Sequence, residues 1–83
     1  MPIRLRASGF KLNGVDMVNL FWTGATSARI DIYRNGVLIR RVPNIGQFTD
    51  NTGRRGQAVF TYTVCASGTL NCSNHVTVRF GGP

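Results

Sequence analysis

An all-β chain folded as two stacked antiparallel sheets is the fold that three features of these 83 residues predict. Apolar residues recur at every second position over seven short stretches, and no stretch repeats them at helical spacing. Gly, Asn, Thr and Ser punctuate the chain between these stretches, and β-branched and aromatic residues fill them. Short strands without a helix must cover their apolar faces with one another, and the economical solution is a seven-stranded sandwich.

The strands predicted from this alternation run over residues 3–8, 15–22, 28–34, 37–42, 47–50, 57–66 and 74–80. Asn35-Gly36 joins the third and fourth as a type I′ hairpin, since both central positions need positive φ. A regular ladder from that turn pairs Arg34 with Val37, Tyr33 with Leu38, Ile32 with Ile39 and Asp31 with Arg40. Ile32 and Ile39 then share the core face, and Asp31 and Arg40 make a cross-strand ion pair outside it. The last two strands conflict in parity: placing Cys65 opposite Cys72 on a regular ladder turns Phe60 away from Val76, Val78 and Phe80. One extra residue near Ser73-Asn74, a bulge, removes the conflict. Asp50 lies in Thr49-Asp50-Asn51-Thr52-Gly53, a turn phrase in which its carboxylate accepts from nearby backbone amides.

Composition narrows the function classes. Ten Lys and Arg against three Asp and no Glu give a net charge of +7, which favours anionic partners. The basic residues are scattered rather than clustered, and no nucleic-acid motif accompanies them, so nucleic acid is disfavoured. Arg40 and Arg41, and Arg54 and Arg55 at a loop tip, are the candidate contacts to an anionic partner. No apolar run approaches the ~20 residues of a membrane span. Residues 1–2 read as an added start, 3–80 as the domain and 81–83 as linker or tail. Cys65 and Cys72 are either two buried thiols or a disulfide, and their spacing suits a bridge closing a hairpin loop. With His75 they fall short of a four-ligand zinc site, and no metal or cofactor is expected. Asn71-Cys72-Ser73 fits a glycosylation sequon.

Catalytic candidates are few. His75, Asp50 and a serine could be set down as a triad on paper, but no nucleophile elbow or phosphate-cradling loop accompanies them. The chain is therefore expected not to be an enzyme. Tyr33, and Phe21 on the parity opposite Trp22, offer exposed rings, with Tyr33 the candidate for stacking on a sugar.

Two phrases carry a family likeness. Val18-Asn19-Leu20-Phe21-Trp22 and Tyr62-Thr63-Val64-Cys65-Ala66 resemble the second and sixth strands of fibronectin type III domains, with Trp22, Tyr62 and Val64 at the motif positions. The resemblance implies an immunoglobulin-like sandwich with Trp22 buried and the Tyr62 hydroxyl bonded to backbone at a strand crossing, a tyrosine corner. Further phrases, Trp22-Thr23-Gly24-Ala25-Thr26-Ser27, Asp31-Ile32-Tyr33-Arg34-Asn35-Gly36 and Phe48-Thr49-Asp50-Asn51-Thr52-Gly53 among them, look like C-terminal domains of secreted bacterial subtilisin-type serine peptidases. That likeness implies a Cys65–Cys72 bridge, a secreted or extracytoplasmic location and a monomeric, non-catalytic accessory domain. Its partners would be the catalytic domain of the parent enzyme and a protein or polysaccharide surface. The rival readings are a carbohydrate-binding module of a glycoside hydrolase, and an adhesion or engineered binding domain on the same scaffold.

Overall fold

Alternation along the chain becomes pairing in a computed structural model that describes residues 2–81. Its strands are β1 (Arg4–Leu12), β2 (Val15–Thr23), β3 (Arg29–Arg34), β4 (Val37–Pro43), β5 (Gln47–Arg55), β6 (Ala58–Ala66) and β7 (Val76–Phe80). They form two antiparallel sheets in a sandwich-like arrangement, one ordered β1-β2-β5 and the other β4-β3-β6-β7. The expectations for Met1 and for residues 82–83 lie outside the described residues.

The core follows period two. Ile3 and Leu5, then Val18, Leu20 and Trp22, face Ile30, Ile32, Phe60, Tyr62, Val64, Val78 and Phe80 across the sandwich. Trp22 is 4% exposed and Tyr62 fully buried, so both polar-tipped rings are enclosed in the core. Each needs a partner for its polar atom. The Trp22 indole donates to Asn44 Oδ1 at 2.8 Å, and the Asn44 amide donates in turn to the carbonyls of Ala25 and Ser27, both at 2.9 Å. One side chain thus ties the β2–β3 loop to the core tryptophan.

Four expectations need correcting. First, the chain contains two hairpins of the Asn-Gly kind: Asn13 and Asn35 both have φ of 53°, with positive φ at the glycines that follow. The turn at Asn13-Gly14 lets β1 run on past Ser8 to Leu12, which pairs with Val15. Second, the β3–β4 ladder is not regular. Tyr33 pairs with Leu38 but Ile32 pairs with Arg40 and Asp31 with Arg41, so Ile39 is the extra residue of a bulge. Ile39 still packs against the core, and the ion pair of Asp31 is with Arg41 rather than Arg40. Third, β5 extends beyond Asp50 to Arg55, bulging where Val15 faces Arg55 but Met17 faces Asn51. Asp50 is therefore a strand residue, buried to 6% exposure, and Asn51 takes the turn-like role by accepting from the Gly53 amide at 3.0 Å. Fourth, the Tyr62 hydroxyl donates to the Asp50 carboxylate and not to backbone.

The bulge near Ser73-Asn74 is present. Tyr62 faces Val76 whereas Cys65 faces Cys72, so three steps along β6 match four on the other side. Ser73 fills the gap: its amide donates to the Val64 carbonyl at 2.7 Å and its hydroxyl accepts from the Val64 amide at 3.0 Å. Asn74 then reaches across the seam to β1, accepting from the Leu5 amide at 2.9 Å and donating to the Leu5 carbonyl at 3.1 Å. A side-chain amide here does the work of a neighbouring strand. Cys65 and Cys72 are joined as a disulfide at the root of this segment.

Candidate functional site

Charge is the chemical feature most in need of placement, and the three carboxylates organise it. Asp16 is fully buried on β2, with Lys11 Nζ 2.7 Å from its Oδ1. Lys11 is the one cation at the Asp16 carboxylate, and no further hydrogen-bond donor reaches its two oxygens among the described residues. Lys11 also donates to the Gly56 carbonyl at 3.2 Å and stands 5.8 Å from the Phe80 ring centre. The pair closes one end of the core. Asp31 accepts from Arg41 Nε at 2.7 Å on the outer face of the larger sheet. Arg41, helped by the Ser67 hydroxyl and opposed by burial, holds the Asp31 carboxyl below its usual range, and Asp31 raises the Arg41 guanidinium in return.

Asp50 does the most. From β5 in one sheet it crosses to β3 and β6 in the other, its Oδ2 accepting from Arg34 at 2.8 Å and from Tyr62 at 2.6 Å. Burial first, then the Asp50 carboxylate, push the Tyr62 phenol far above its ordinary value, against a smaller opposing pull from Arg34. Arg34 lies 5.8 Å from the Phe60 ring centre as well, so the guanidinium is held by an aromatic and an acid together.

With every aspartate committed, the described residues leave seven arginines without an acidic partner: Arg4, Arg6, Arg29, Arg40, Arg54, Arg55 and Arg79. All are exposed. The residues expected to act on an anionic partner do not converge. Arg40 and Arg41 lie on β4, an edge of the larger sheet, and Arg41 is already engaged by Asp31. Arg54 and Arg55 end β5 in the smaller sheet rather than tip a loop, and Arg55 donates to the Asn13 carbonyl at 2.9 Å. Tyr33 is half-buried on β3, on the opposite sheet from Phe21.

What does converge is a set that the sequence points to only by parity. Arg4 and Arg6 lie on one face of β1, and the β1–β2 register sets Arg6 against Phe21 and Phe10 against Met17. Phe10 and Phe21 are each 38% exposed on this outer face of the smaller sheet. The alternation Arg4-Leu5-Arg6 and the position of Phe21 beside Trp22 are the signals that locate it.

His75 is exposed immediately before β7, and no three of His, Cys, Asp and Glu gather closely enough to hold a metal ion among the described residues. No helix there is long and apolar enough to cross a membrane. The disulfide is compatible with an extracytoplasmic location. No family model, curated protein or solved structure matches the chain.

Proposed function

We propose that this chain is a non-catalytic binding module, an appendage that positions or spaces a secreted hydrolase on its substrate or envelope. One observation carries the reading: each aspartate is consumed in pairing within the sandwich, and the net positive charge is displayed on seven exposed arginines with no acidic partner among the described residues. Carboxylates so tied are poorly placed for proton transfer, whereas unpaired arginines on a stiff scaffold are suited to holding acidic surfaces. The division of strands into β1-β2-β5 and β4-β3-β6-β7, with Trp22 on β2 and Tyr62 on β6 in the core, supports a fibronectin type III-like reading of the fold. The resemblance of its loop phrases to those of secreted bacterial subtilisin-type peptidases favours a serine peptidase as the parent enzyme.

Pull-down of the purified domain on insoluble chitin, cellulose and collagen tests the proposal. Retention on at least one solid, weakened as salt rises, is the expected result. Passage through all three without retention together with no binding to an acidic polysaccharide such as polygalacturonate, or turnover of peptide or glycoside substrates by the domain alone, would overturn it.

A further inference from the structure

The smaller sheet carries a groove on its outer side. Period two sends Arg4 and Arg6 away from the buried Ile3 and Leu5, so both guanidinium stems leave β1 on the same face. A depression of about 610 Å³ extends from them past Phe21 and Thr23 and around the side of β1 to Ser73 and Asn74. A second depression of about 280 Å³ continues along the face and shares Arg6 and Phe21 with the first. No carboxylate lines either one, and all three aspartates are paired elsewhere.

We propose that this groove binds an anionic polysaccharide, with acidic groups of the glycan held by Arg4 and Arg6 and a sugar ring laid against Phe21. The proposal rests on the binding-module reading and gives it a site and a ligand class. Charge complementarity sets the sign of the ligand. A guanidinium grips a carboxylate or sulfate through two parallel donors, and two such groups rise from one strand roughly 6.6 Å apart at their Cα atoms. That separation lets them reach acidic groups on the same or neighbouring sugars.

Backbone bonding beside Arg4 and Arg6 favours a glycan over an acidic peptide. Extended peptides are captured chiefly by main-chain pairing with a free strand edge. Here β2 is the middle strand and its backbone groups are taken on both sides. On the outer side of β1 the Leu5 amide and carbonyl are already held by Asn74. What faces solvent is a ring flanked by guanidinium groups, and a pyranose matches it with a C–H face for the ring and an acidic substituent at its rim.

Affinity electrophoresis through native gels containing polygalacturonate, dextran or polyglutamate tests the assignment, with thermal unfolding confirming that each variant is folded. Polygalacturonate retards the native domain and neutral dextran does not. The double change Arg4→Gln/Arg6→Gln weakens binding by about tenfold, and Phe21→Ala by about fivefold. Arg54→Gln/Arg55→Gln leaves it within about twofold, because those arginines lie outside the groove. Equal retardation by polyglutamate with no effect of Phe21→Ala would identify an indiscriminate polyanion surface and sink the proposal. So would equal losses in the two arginine pairs. Retention on a solid that ignores all these substitutions overturns the groove and leaves the module reading standing, whereas absence of both retention on any solid and retardation by polygalacturonate removes the module reading itself.

Discussion

Tyr62 shows how one buried hydroxyl couples the two sheets to pH. Its proton is retained in the folded chain well above the pH at which the unfolded chain gives it up, because burial and the Asp50 carboxylate both disfavour a phenolate. Stability is therefore whole below about pH 10 and falls above it, by up to ~1.4 kcal/mol for each pH unit. Urea unfolding across pH 8–11 is expected to show that fall in the native chain and a flatter profile in Tyr62→Phe. An unchanged slope in the variant would mean that other groups govern alkaline unfolding. The acid side has the opposite sign. Asp31 binds its proton less readily when folded, so its contribution is present at neutral pH and disappears as acid protonates the carboxylate beside Arg41. At this scale the sequence makes Tyr62 a core ring through its parity, but gives no sign that its partner is Asp50, twelve residues away on the other sheet.

Among the elements, the segment between β6 and β7 shows how a local mismatch is made good. The disulfide closes a short loop, Ser73 occupies the bulge and Asn74 clamps β1, so three fastenings act on the three consecutive residues Cys72, Ser73 and Asn74. Closing a loop of about eight residues is worth roughly 2.5 kcal/mol on the chain-entropy model, which corresponds to a loss of about 10–20 °C in Tm for a domain this small. Scanning calorimetry of Cys65→Ala/Cys72→Ala should show a drop of that size, and hydrogen exchange should quicken at Leu5 if the clamp loosens with it. At the other end of the sandwich the β1–β2 hairpin places Lys11 against the buried Asp16. Lys11→Met leaves a buried carboxylate without its cation and is expected to destabilise by about 3–5 kcal/mol, while adding Asp16→Leu restores most of the loss. A double variant no better than the single one would refute that account. Turn residues read from the sequence place the Asn35-Gly36 hairpin, whereas the turn at Asn13-Gly14, and with it the Lys11–Asp16 pair, is passed over behind the weak alternation of Ser8-Gly9-Phe10-Lys11.

For the molecule as a whole, the charge distribution sets a balance between stability and binding. Exposed arginines without acidic partners repel one another over a body only 39 × 19 × 18 Å in extent, and salt screens that repulsion. The Arg34–Asp50 pair, with its carboxylate 8% exposed, is screened far less. Thermal unfolding is accordingly expected to shift upward by a few degrees between roughly 20 mM and 300 mM salt, the reverse of a fold held by surface ion pairs. A downward shift would show that the surface pairs, Asp31–Arg41 above all, outweigh the repulsion. The same screening weakens capture of an anionic surface, so stability and binding should respond to salt in opposite directions.

Sequence by itself determined that there are seven strands, their inward faces, the Asn35-Gly36 turn, the Cys65–Cys72 spacing and the need for one extra residue before β7, but not how far β1 and β5 extend. Those follow from period-two burial and turn chemistry, which act between neighbours along the chain. Only the tertiary structure decided that Arg41 and not Arg40 meets Asp31, that Asp50 joins Tyr62 and Arg34 across the sandwich, and that Arg4, Arg6 and Phe21 share a groove with Asn74. Each of these depends on a bulge or on the stacking of two sheets. A one-residue bulge alters every cross-strand partner beyond it and reverses which parity faces the core, and where it falls is set by contacts across the sandwich rather than by neighbours along the chain.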